Sequence, residues 1–118
     1  MSSVLLVEDE FLIRTVLVDA LAGIGLACIE APTGQAALDV VTGAAALSAI
    51  IVDIGLPDMS GEKVIEAAAQ YRPGTPVIRC SGTLERGGTS SPGVHVFSKP
   101  YSAIELSKFV ASLVSAGS

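Results

Sequence analysis

Five short aliphatic runs, separated by segments that mostly carry a helical period, constrain the fold of this chain more than any other feature. A run such as Val4-Leu5-Leu6-Val7 has no polar residue at alternate positions, so a strand built from it must be covered on both faces. That requirement is met in parallel sheets, where each strand is joined to the next by a crossover helix packed on one face or the other. The alternation therefore predicts an α/β fold with a five-stranded parallel sheet.

Along the chain, the first run ends abruptly in Glu8-Asp9-Glu10. Ile13, Val16, Leu17, Ala20, Leu21 and Ile24 then recur at helical offsets, and Gly25 follows as a left-handed cap. Residues 26–31 read as the second strand, and Thr33 is an N-cap for a helix through Ala36, Ala37, Val40 and Val41. Residues 47–52 form the third strand, which ends at Asp53 before the turn-forming run Gly55-Leu56-Pro57-Asp58. Ser60 caps a helix over 61–70, which Arg72-Pro73-Gly74-Thr75-Pro76 terminates, and residues 77–80 form the fourth strand, finished by Ser81-Gly82.

Residues 83–93 carry Gly, Ser, Thr and Pro without apolar periodicity, so a loop with at most one helical turn is expected where the alternation calls for a fourth helix. Val94, Val96 and Phe97 give the fifth strand, closed by Lys99-Pro100. A capping box, Ser102-Ala103-Ile104-Glu105, opens a last helix with Leu106, Phe109, Val110 and Leu113 on one side.

At 118 residues the chain has the length of one domain, expected over 1–118 with no separate output domain. Its net charge of −5 argues against nucleic acid and anionic membrane surfaces as partners, since both need clustered Lys and Arg. No signal-like start and no run of about 18 apolar residues occurs. Cys28 and Cys80 lie in apolar runs without metal or redox spacing, and read as reduced core thiols of a cytoplasmic protein.

In an open parallel sheet the functional crevice lies outside the carboxyl ends of the strands. Here that edge collects Glu8 and Asp9 after the first strand, Asp53 after the third, Ser81 after the fourth and Lys99 after the fifth. Converging carboxylates raise one another's pKa unless a cation neutralises them, and hard oxygen ligands suit Mg2+. A divalent-metal site is the expectation. Glu10 reads instead as an acid favoured by the start of the first helix, and His95, the one histidine, as a half-buried or exposed strand residue.

These residues resemble the receiver domains of two-component response regulators. The likeness rests on Glu8-Asp9, on Val52-Asp53-Ile54-Gly55-Leu56-Pro57 with Gly61 following, on Ser81-Gly82 and on Lys99-Pro100. It implies a flavodoxin-like doubly wound sheet of strand order 2-1-3-4-5, with the fourth helix short or missing in this chain. It also implies a stand-alone signalling switch, not an enzyme in its own right, that takes a phosphoryl group onto Asp53 from a histidine kinase or histidine phosphotransferase and acts on a downstream protein. By the same resemblance Asp9, Asp53 and the Gly55 carbonyl hold Mg2+, with Glu8 acting through a bound water. Lys99 and the Ser81 hydroxyl contact phosphoryl oxygens, and Gly82 lets its N–H approach closely.

Two departures stand out: the aromatic usual three positions before the lysine is Val96 here, with Phe97 one position later, and the 83–93 stretch is short and glycine-rich. A pseudo-receiver that binds a partner without phosphorylation is the alternative, against which the complete set Asp9, Asp53, Ser81 and Lys99 argues. A phosphatase using an Asp nucleophile is a third reading, disfavoured because Gly55 stands where a second acid would be needed.

Overall fold

The computed structural model describes residues 3–81, 93–98 and 102–116, with the backbone alone at Ser81 and Ala116. Among these residues the elements are β1 (Ser3–Val7), α1 (Phe11–Ala22), β2 (Cys28–Ala31), α2 (Gly34–Val41), β3 (Leu47–Asp53), α3 (Gly61–Tyr71), β4 (Val77–Ser81), β5 (Val94–Ser98) and α4 (Ala103–Ala116). The strands form one sheet of order 2-1-3-4-5, and every neighbouring pair is parallel. This is the doubly wound, flavodoxin-like arrangement that the sequence led us to expect. The expectation of a short or missing helix over 83–93 falls almost wholly outside the described residues.

Two apolar layers explain the uninterrupted aliphatic strands. Val4 and Leu6 of β1, with Ala49 and Ile51 of β3, pack against Leu17 and Leu21 of α1 and Leu106 and Val110 of α4. Their alternate neighbours Leu5, Val7, Ile50 and Val52 face the other way, onto Ala37 and Val41 of α2 and Val64 and Ala68 of α3. Each fully buried Leu, Ile or Val side chain contributes about 1.5–3 kcal/mol, which is why neither face can be polar.

The helix ends follow local chemistry. Thr33 accepts a hydrogen bond from the Ala36 N–H, Ser60 from Glu62 and Ser102 from Glu105. Gly25 has φ of 85° and closes α1 with a pair of bonds, its own N–H to the Ala22 carbonyl and the Leu26 N–H to the Leu21 carbonyl. Not all of the apolar residues that recur at helical offsets are covered: Val16 and Ile24 are exposed at 55% and 44%. Leu17 and Leu21 fill the inward stripe, so Val16 is rotated past it, and Ile24 lies beyond the last regular turn. The second strand is also shorter than expected, starting at Cys28 and not at residue 26, because Leu26 is occupied by the turn that ends α1.

Opposite the carboxyl ends of the strands, Arg72 joins two helices. It follows α3, and its guanidinium donates to the carbonyls of Val40, Val41, Gly43 and Ala45, at the end of α2 and on the approach to β3.

Candidate functional site

The aliphatic runs of β1 and β3 end side by side, with Val7 paired to Val52. Glu8 and Asp9 therefore leave the sheet next to Asp53, the last residue of β3. One carboxylate oxygen from each of Glu8, Asp9 and Asp53 lies within 4.8 Å of the other two. Glu8 is buried at 1% exposure and Asp53 at 6%, while Asp9 is exposed and opens the cluster to solvent.

The main chain around Glu8 is held from both sides. Its N–H donates to the Ala31 carbonyl of β2, and its carbonyl accepts from Arg14, whose Nε also pairs with Glu30 at 2.9 Å. Its side chain accepts from the Glu10 N–H at 3.2 Å. Burial pushes the Glu8 carboxyl up from 4.5 to about 7. The Asp53 charge and hydrogen bonds shared with Asp53 and Asp9 push the same way, against the Glu10 N–H. Burial and neighbouring acids disfavour the charged form of Glu8, and a cation placed among the three carboxylates would relieve that repulsion. Three hard oxygen donors on a backbone fixed by the sheet suit a small divalent ion such as Mg2+.

Asp53 is positioned by the turn that follows it. The Gly55 N–H donates to Asp53 Oδ1 at 3.3 Å, and the Gly61 N–H donates to the Ile54 carbonyl at 2.9 Å, so the start of α3 is pressed onto the end of β3. A Cβ at Gly61 would stand 2.5 Å from the Asp53 carbonyl oxygen and 2.9 Å from Ile54 Cα, both backbone atoms that cannot move aside. Only glycine permits this approach.

The structure thus brings Glu8, Asp9, Asp53 and Gly55 together. Ser81 ends β4 in register with Ser98 of β5, while its side chain, together with Gly82 and Lys99, lies outside the described residues. Glu10 is the N-cap of α1, the structural place expected for it. His95 is half-buried, edge-on to Phe109 at 5.5 Å. Phe97 packs toward the α1–α4 layer, 5.6 Å from the Phe109 ring, and Val96 stands exposed on the other side of β5. Cys28 and Cys80 are free thiols, and burial pushes Cys28 up to about 11.

Three residues near the site escaped the sequence reading. Arg14 clamps Glu8, and Arg79, inside β4, pairs with Glu62 of α3 at 2.6 Å. Asp58, read as a turn former, accepts from Gly34 and Gln35 of α2. Nothing in the residue types marks these partners, which are 6 to 24 positions away.

Comparison with known proteins agrees with this geometry. The receiver protein from Sinorhizobium medicae WSM419 superposes with a TM-score of 0.88 over 99% of this chain and 97% of its own, at 23% identity. The response regulator protein TrrA from Thermotoga maritima, solved in complex with Mg(2+)-BeF, gives 0.81 at 27% identity over 96% of this chain and 99% of its own. The KDP operon transcriptional regulatory protein KdpE of Escherichia coli (strain K12) is 40% identical over 85 residues, 72% of this chain. The match spans 37% of that relative's length. No helix among the described residues is long and apolar enough to cross a membrane. With residues 4–110 matching the family described as the response regulator receiver domain, on a sheet whose carboxyl edge gathers Glu8, Asp9 and Asp53, the chain belongs to the receiver domains of two-component response regulators.

Proposed function

We propose that this receiver domain is a phosphorylation-dependent switch that accepts a phosphoryl group on Asp53 from a histidine kinase or a histidine phosphotransferase. The observation that carries the reading is the cluster of Glu8, Asp9 and Asp53, with oxygens within 4.8 Å of one another at the carboxyl edge of the sheet. Asp9, Asp53 and the Gly55 carbonyl are the residues we assign to Mg2+, with Glu8 contributing through a water. When bound, the ion offsets the repulsion between the anionic acceptor and the anionic phosphoryl group and holds phosphoryl oxygens in place.

An Asp53 carboxylate oxygen attacks phosphorus, the bond from phosphorus to the donor imidazole nitrogen breaks, and the imidazole leaves with a proton taken from solvent. Asp53 is held for this by the Gly55 N–H and by the close approach of Gly61. Lys99, the Ser81 hydroxyl and the Gly82 N–H are the groups we assign to the phosphoryl oxygens, on the family likeness. On this reading the domain assists its own phosphorylation and the later hydrolysis of the aspartyl phosphate by water. Its output is the binding of a downstream protein in the cytoplasm, where the two thiols stay reduced. The solved relative that carries Mg(2+)-BeF supports the pairing of metal and phosphoryl group.

Incubation with Mg2+ and phosphoramidate or acetyl phosphate, followed by intact-mass measurement, tests the reading. One phosphoryl adduct is expected, absent in Asp53→Asn and absent in excess chelator. Labelling that survives either change overturns the assignment, and a wild-type protein that takes no label supports the pseudo-receiver alternative.

A further inference from the structure

The turn between β3 and α3 is fastened at its tip as well as at its base. At the base, Gly61 is seated on the Asp53 and Ile54 backbone, and Gly55 bridges to Ser60. At the tip, Asp58 Oδ1 accepts from the Gly34 N–H at 2.8 Å and Asp58 Oδ2 from the Gln35 N–H at 3.0 Å. Both oxygens are thereby committed to the first turn of α2, whose next N–H, that of Ala36, is already satisfied by Thr33. The neighbouring Met59 side chain lies against Gly34, where a Cβ would collide with it. The two N–H bonds hold the Asp58 carboxyl below the usual carboxylate range, although the residue is exposed.

An exposed carboxylate that reaches a different helix with both oxygens is a poor turn former and a good strut. The turn it holds carries Gly55, whose N–H contacts Asp53 and whose carbonyl we assign to the metal. Without Asp58, residues 55–59 would keep the bridge at their base, the packing of Leu56 on the α2–α3 layer and the Met59 contact, but would lose their hydrogen bonds to α2, and the Gly55 carbonyl would be held less tightly. We propose that Asp58 is a positioning residue: by tying the β3–α3 turn to the first turn of α2, it sets the Gly55 carbonyl in place for Mg2+ and the Gly55 N–H in place on Asp53. This rests on the metal and acceptor roles proposed above. It adds a residue that touches neither metal nor phosphoryl group.

The test is Mg2+ titration followed by the backbone amide resonances of Asp53 and Gly55, with thermal midpoints measured in parallel. Outer-sphere partners that orient a metal's ligands are worth about 10–100-fold in affinity. Asp58→Ala is expected to weaken Mg2+ by about tenfold and to shift the Gly34 and Gln35 amide resonances, while Asp58→Asn, with one acceptor in place of two, falls between it and wild type. Thr33→Ala is the control, since it removes the other cap of the same helix without touching the turn. It should lower the midpoint by a similar amount and leave Mg2+ affinity within twofold of wild type. Equal weakening in Thr33→Ala and Asp58→Ala would mean that α2 stability alone matters, and would overturn the proposal. So would unchanged affinity in Asp58→Ala with wild-type binding intact, which leaves the acceptor reading standing. A wild-type protein that binds no Mg2+ removes that reading and this one with it.

Discussion

The two ends of the sheet use the same residue types for opposite purposes. At the amino end, Gly25, Gly74 and Gly93 adopt φ of 83–90° with open space around the missing Cβ, so they serve as turns into β2, β4 and β5. At the carboxyl end, Gly34 and Gly61 have no unusual φ and are instead crowded, by Met59 and by the Asp53 backbone. Charge divides the same way. Arg72 at the amino end satisfies four carbonyls of the α2–β3 connection, whereas at the carboxyl end Glu8 is buried among acids and pushed up to about 7. The amino end is built for stability, and the carboxyl end holds groups whose repulsion favours a ligand.

Four measurements can break or sharpen that contrast. The largest effect expected is from Glu8. Its folded pKa of about 7 lies above the ordinary 4.5, so the folded state binds more protons than the unfolded one between those values, and stability falls as pH rises through that window. In chelator, unfolding by urea should show a loss of about 3 kcal/mol from pH 4.5 to pH 8 that Glu8→Gln abolishes and that saturating Mg2+ at pH 8 reverses. A loss of the same size in Glu8→Gln would assign it to other groups.

Gly61→Ala comes next, at about 2–3 kcal/mol, because the clash is with backbone and must displace Asp53. Acceptance of a phosphoryl group should drop with it, and a variant that is destabilised yet labels at the wild-type rate would separate the helix approach from the acceptor geometry. Arg72→Ala should cost about 2 kcal/mol through the loss of its charge-assisted hydrogen bonds to these carbonyls while leaving Mg2+ affinity unchanged. Weakened Mg2+ binding there would show that the two ends are coupled. Smallest is Gly74→Ala, about 1 kcal/mol from the left-handed backbone alone, with no change in labelling.

What the sequence made legible, and what it did not, follows the range of the interactions. Strands covered on both faces announce themselves as aliphatic runs, and the acids that end them stand out because each run stops at a polar residue. Glu8, Asp9 and Asp53 could thus be placed together before any coordinates, since parallel strands share one carboxyl edge. Arg72 looked like part of a helix terminator and Asp58 like part of a turn, and their partners lie 23 to 32 positions away. Val16 is exposed because a stripe of apolar residues does not fix helical phase to within one residue when the flanking positions are apolar too, and Ile24 because the helix stops at Ala22, before it. The expectations for residues 83–92, Gly82, Lys99 and the Ser81 side chain fall outside the described parts of the chain.

Arg79 bears on a different problem, that of folding into a single alignment. An aliphatic strand with both faces buried can slide one position past its neighbour and exchange which side chains face which layer, and Val, Ile and Cys would tolerate the exchange. Arg79 would not. It is 7% exposed and directed to the α3 side, where Glu62 meets it, while Ile78 and Cys80 occupy the opposite apolar layer. A slip of one residue would drive the guanidinium among Leu106 and Val110 with no acid beside it, a cost of several kcal/mol for an unpaired buried charge. The pair adds little to stability as such, and its effect is to make a β4 that has slipped by one residue far worse than the native one.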